Sequence, residues 1–216
     1  MLSITETLKV RITFFEEALG MSPADKEIYS KFIASKAPDA LSREEEVEAI
    51  GADAVEVKEM TIFPRTKDGE LFFWDYQIKG FLKDACGMLR KMSGSECSKV
   101  KAYKKEIDGL IFPHPRNIII HLPEGEEIGN CQRPLRASTP QGERIALANS
   151  ETIPAGSWFE VEFKMLNAKA SKDMIIECLE YGELRGMAQW RNSGKGRFTY
   201  EIIEDEKAEK PAKASK

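Results

Sequence analysis

The chain has 216 residues, 42% hydrophobic and 31% charged, with a formal net charge of −4, a globular balance that excludes disordered, fibrous and collagenous classes. No stretch approaches the roughly 18 uninterrupted apolar residues that a membrane span needs, and the opening Met1–Gly20 mixes acids and bases into its apolar residues instead of forming a secretory h-region. The cysteines Cys86, Cys97, Cys131 and Cys178 form no CxxC pair, so zinc-ribbon and thioredoxin chemistry are excluded and free thiols in a reducing cytoplasm are expected.

Taken in chain order, Leu8–Phe15 alternates in part and is rich in β-branched residues, which predicts a strand. Ser22 and Pro23 have the form of an N-cap and a first helical residue, predicting a helix to about Ser35. A second, acidic helix is expected from Ser42, with Glu45 completing a capping box. Residues 59–64 and 71–76 flank Lys67-Asp68-Gly69, and the Asp-Gly step predicts a hairpin. Gln77–Met92 places Ile78, Leu82, Ala85, Met88 and Leu89 on one stripe, an amphipathic helix. Short strands are expected at 109–112, 117–122 and 144–148. Residues 157–166 alternate clearly, with Phe159, Val161, Phe163 and Met165 on one face. A helix over 172–184, a glycine loop and a last strand at 197–203 follow, and 204–216 is expected to be a disordered charged tail.

Without its insertions, this order is strand, helix, strands, strand, helix, strand. It predicts an α+β, ferredoxin-like (RRM-like) antiparallel sheet with helices on one face and inserted helical and hairpin elements. One domain spans 1–203, with an acidic helical insertion at about 20–58 and a basic loop at about 123–144.

Charge is unevenly spread. Residues 39–59 hold eight acids against two bases, 79–105 hold eight bases against two acids, and 185–197 hold four bases and no acid. A total below zero argues against indiscriminate nucleic-acid binding, whereas two local basic segments suit a defined track. The most informative segment is Leu184–Phe198. Three glycines let the backbone approach another chain closely. Arg185, Arg191, Lys195 and Arg197 supply charge, Asn192 and Ser193 polar groups, and Trp190 and Phe198 aromatic faces. Tight packing is the competing reason for the glycines. The GxxxxGK[ST] spacing of a P-loop is absent, and no cofactor is expected. A second basic stretch, Cys131–Arg144, carries Arg133 and Arg136 and reads as a protruding loop that reaches nucleotides or a neighbouring subunit, or as an ordinary surface hairpin.

The glycine loop before a terminal strand resembles the signature loop of the RAMP superfamily, the proteins that form the backbone of CRISPR effector complexes. Tyr76–Asp84 is similar to the backbone-subunit segment in which a Lys-Gly step opens the first helix. Glu151–Val161 resembles the E-x-(I/V)-P-x-G-x-x-F entry to the central strand. The chain also looks like proteins encoded in phages and prophages. The resemblance implies a non-catalytic protein that coats single-stranded RNA or DNA as a homo-oligomeric filament or ring, in the cytoplasm of a bacterial host. It implies contacts from Lys79, Lys83, Arg185, Arg191, Asn192, Ser193, Lys195 and Arg197, the residues that charge and aromatic content also single out.

Two alternatives stay open. One is a phage recombination protein that anneals single-stranded DNA. The other is a metal-independent endoribonuclease using His114 or His121 as general base. The two histidines are seven apart, outside any HxxxH or HExxH frame, and no metal site is expected. Asp84, within the predicted helix, is expected to pair with a nearby lysine.

Overall fold

In β1 (Glu6–Phe14) the alternation of the sequence becomes an alternation of burial: Leu8, Val10, Ile12 and Phe14 point inward and Lys9 and Arg11 outward. The computed structural model describes residues 6–24, 60–139, 142–166 and 168–203. β1 is paired antiparallel on both edges, with β10 (Trp158–Met165) and with β11 (Phe198–Ile203), and β6 (Ile111–His114) closes the far side of β10. The resulting order is β11-β1-β10-β6. Register brings Val10 opposite Val161, Ile12 opposite Phe159 and Phe14 opposite Phe198, so the inward faces coincide.

Two long helices share the core with that face. α1 (Asp75–Leu89) contributes Ile78, Phe81, Leu82, Ala85, Cys86 and Leu89, and α4 (Ala168–Arg185) contributes Met174, Ile175, Cys178 and Leu179. Between them lie α2 (Glu96–Lys99) and α3 (Tyr103–Leu110), two short helices without a counterpart in the sequence reading. α1 begins two residues before the expected Gln77 because Gln77 caps it: the Trp74 backbone N–H donates to Gln77 Oε1 at 3.0 Å.

A second sheet has the order β2-β9-β4-β3, with β8 also paired to β9. Its strands are β2 (Ala18–Leu19), β3 (Ser22–Pro23), β4 (Met60–Ile62), β8 (Gly129–Thr139) and β9 (Gly142–Ile153). Two expectations are corrected here. Ser22 and Pro23 do not open a helix; they pair with Ile62 and Thr61, and Ser22 is buried, so tertiary pairing overrides the local cap signal. Of the basic segment at 123–144, residues 123–128 are turn and coil, and from Gly129 onward the hairpin alternative holds: β8 and β9 pair antiparallel, and the expected strand at 144–148 is part of β9.

The Asp-Gly turn forms, with the Gly69 N–H donating to Thr66 O at 3.0 Å and a single bridge between Arg65 and Leu71. Its two arms then part. One joins β9, and the other, β5 (Phe72–Trp74), pairs with β7 (Asn117–Ile119). The expected acidic helices beyond residue 24 and the tail after residue 203 lie outside the described residues. Among the described residues no helix is long and apolar enough to cross a membrane.

Candidate nucleic-acid interface

Gly186 and Gly196 fix the frame of the loop between α4 and β11. Both lie at positive φ, 80° and 70°. The two limbs of the loop cross here, the Met187 N–H donating to Gly196 O at 2.9 Å and the Gly196 N–H to Glu17 O at 2.8 Å. A Cβ on Gly186 would stand 2.5 Å from Lys195 O, and one on Gly196 would collide with Met187 O. These two glycines therefore serve packing, the competing reason given above. Between the limbs, Ala188 and Trp190 also hold left-handed φ, at 65° and 56°, a costly conformation for residues with a Cβ. Arg191–Ser193 form a single 3₁₀ turn.

The loop cations are individually paired. Arg191 Nη1 meets Asp84 Oδ2 at 2.6 Å, Arg197 Nη2 meets Glu16 Oε1 at 3.0 Å, Lys195 pairs with Glu17, and Arg185 donates to Asn192 Oδ1. Asp84 thus takes an arginine of the loop and not a neighbouring lysine, because α1 runs directly beneath that turn. Such half-exposed pairs are each worth about 0–1 kcal/mol. Their carboxylates come from β1's end and from α1, places that no local motif in the loop could reveal.

The helix start and the loop meet. Tyr76, Gln77, Ile78, Gly80 and Phe81 of α1 face Met187, Ala188, Gln189 and Arg191 across an open cleft of about 290 Å³, with Met21 at its margin. Gly80 is exposed there, and a Cβ added to it would meet nothing within 4 Å. The fold itself gives no reason for a glycine at this position.

Lys79 and Lys83 stand apart from the cleft. Lys79 Nζ donates to Asp108 O at 3.0 Å and lies 4.8 Å from the centre of the Phe112 ring, and Lys83 pairs with Asp108. Burial lowers the Lys79 pKa against the opposing pull of Asp108 and Asp75. The structure brings these two lysines to α3, not to the residues of the glycine loop.

Arg133 of β8 does reach the loop. It is only 8% exposed, Nη2 donates to Gln189 Oε1 at 3.1 Å, and its guanidinium lies 4.9 Å from the centre of the Trp190 ring. Gln189 escaped the sequence reading because an uncharged side chain gives no electrostatic signal. Arg136 sits opposite Ile145 in the hairpin, and its side chain is outside the described residues. Of the histidines, His121 stacks on Trp158 with ring centres 4.1 Å apart, and His114 ends β6 opposite Glu162. Among the described residues no group of three or more His, Cys, Asp or Glu is arranged to hold a metal ion.

No protein-family profile and no curated protein matches the sequence. Solved structures do. The chain is similar to one in a type III-B Cmr-beta complex bound to cognate target RNA, with a TM-score of 0.52 and 13% identity over 93% of this chain and 61% of that one. It thus spans about three fifths of that relative's length. It is also similar to Cmr6 from Pyrococcus furiosus, with a TM-score of 0.48 and 11% identity over 92% of this chain and 99% of that one. At 13% identity the likeness to the Cmr-beta chain is one of fold: this protein shares the fold of that chain.

Proposed function

We propose that the chain is a non-catalytic RAMP-like subunit that binds single-stranded nucleic acid, with RNA the favoured ligand, along the cleft between the start of α1 and the glycine loop. The observation that carries this reading is the convergence of Gly80 with Met187, Ala188, Gln189 and Arg191 on one open cleft, although a hundred residues part them in sequence. A glycine with open space above it admits a sugar-phosphate backbone at close range. Arg191 lines the cleft in a pair weak enough for a phosphate to replace the carboxylate. The strand order β11-β1-β10-β6 supports reading the first sheet as ferredoxin-like, in keeping with the RAMP-like fold. The RNA in the Cmr-beta complex favours RNA over DNA.

A single chain offers few phosphate contacts. Each one neutralised steepens the salt dependence of binding by about 0.7 on a single strand. Useful affinity then needs subunits side by side on one strand, either copies of this chain in a filament or ring or other subunits of a complex.

Fluorescence anisotropy with labelled single-stranded RNA and DNA, at low and at physiological salt, tests the reading. Binding at low salt that weakens steeply with added salt is expected, together with RNA that stays intact. Absence of binding at low salt rejects nucleic-acid recognition. RNA cleavage that disappears in His114→Ala or His121→Ala rejects the non-catalytic part, and efficient annealing of complementary DNA strands favours a recombination role instead.

A further inference from the structure

Arg133 is a nearly buried cation whose charge no carboxylate among the described residues neutralises. Its bonds go to neutral groups, Ser150 Oγ at 3.4 Å and Gln189 Oε1 at 3.1 Å, and its Nε has no acceptor among the described residues. Burying a guanidinium without an anion is unfavourable, so the charge favours a negative ligand at this place. Arginine can only donate, so the Gln189 oxygen must face it, which turns the Gln189 Nε2 the other way. Gln189 lines the cleft, and so does Arg191. An amide whose oxygen rests on a guanidinium is a polarised donor. Its surroundings are thus selective for an anion.

We infer that the cleft contains a phosphate subsite in which Gln189 Nε2, backed by Arg133 and flanked by Arg191, donates to one phosphate group. As a subsite for the polynucleotide it rests on the function proposed above. The same chemistry would accept free phosphate, and the two sources are separable. Trp190 is 38% exposed and covers the guanidinium on its other side, so the strained conformation of residues 188–190 presents the amide and seals the cation together.

Gln189→Glu tests the inference in the full chain. The substitution keeps the shape, sets a carboxylate against Arg133 and removes the donor. Its melting temperature should equal or exceed that of the wild type, while affinity for labelled single-stranded RNA at low salt should fall by about tenfold or more. Gln189→Met, which removes the donor without adding charge, must show a loss in the same direction. Wild-type affinity in either folded variant overturns the subsite and leaves the proposed function standing.

Inorganic phosphate forms the second arm, read as a thermal shift. A shift in the wild type that Gln189→Glu lacks, without any oligonucleotide binding, keeps the subsite and removes the nucleic-acid reading. Equal shifts in both proteins, with RNA affinity lost in the variant, assign the subsite to a polynucleotide. No response of the wild type to either ligand overturns both.

Discussion

Gly80→Ala separates what the fold requires from what the cleft requires. Gly80 lies inside α1 and is exposed, and an added Cβ would meet no described atom within 4 Å beyond the backbone of its own helix and its chain neighbours. Glycine in a helix interior is about 0.8–1.0 kcal/mol less favourable than alanine, so the substitution should stabilise the protein by about that amount. For a chain of this size, 1 kcal/mol corresponds to about 2–4 °C, a rise that differential scanning calorimetry resolves. Affinity for single-stranded RNA should move the opposite way, weakly for alanine and strongly for Gly80→Gln, whose longer side chain projects into the cleft. A protein more stable and less able to bind is the expected pair of results. If Gly80→Gln binds RNA as tightly as the wild type, a backbone does not approach α1 here. If Gly80→Ala fails to raise the melting temperature, the helix is constrained by something other than the surroundings of Gly80 described above.

Gly196→Ala should behave in the reverse sense. The left-handed φ costs about 1–2 kcal/mol and the clash with Met187 O about 1–3 kcal/mol more, so thermal melting should show a drop of several degrees or loss of the folded protein. An unchanged melting temperature would contradict the crossing of the loop limbs. Glu160 pairs with Lys9 at 2.8 Å and accepts from Arg11, hydrogen bonds that, Lys9's foremost, hold its pKa below the usual glutamate value of 4.5. A lowered carboxylate pKa stabilises the fold above the unfolded value and loses that contribution as pH falls through the folded one. Glu160→Gln should therefore cost about 0.5–1 kcal/mol in denaturant titrations at neutral pH, and the difference should shrink progressively below about pH 4. Cys86, Cys97 and Cys178 are buried, with Cys97 Sγ 3.8 Å from Cys178 Sγ, and hydrogen bonds to Cys178 and Cys86, then burial, push the Cys97 thiol up. A thiol reagent should label Cys131 first in the native protein and reach the other three only after denaturation.

The first sheet was legible because its burial is one-sided: 8–15 and 157–166 write alternation directly, and α1 and α4 carry apolar stripes. The second sheet was legible only in part, through β4 in the 59–64 arm and a piece of β9 at 144–148. β8, with Pro134 and polar residues on successive positions, has no alternation to read, and Ser22-Pro23 mimics a helix start. α3 buries only Ile107 among its eight residues, too little for a periodic signal. Within the candidate site, glycines and arginines drew notice to the loop and to β8, and Gly80 stood in the segment that resembled a helix opening. The carboxylates that pair with them were illegible because Glu16, Glu17 and Asp84 are brought in by the tertiary fold. Lys79 and Lys83 were placed with the loop because a helix's sequence does not say which of its faces meets which neighbour.

The crossing at Gly186 and Gly196 is made of main-chain groups alone. The six positions from Ala188 to Ser193 are thus displayed on a mount whose geometry owes little to their own identities, much as a variable segment is carried on an immunoglobulin framework. A library randomised over Gln189 and 191–193, with both glycines and the left-handed Ala188 and Trp190 kept, should yield mostly folded members, and selecting among them offers a direct route to retuning what the protein holds.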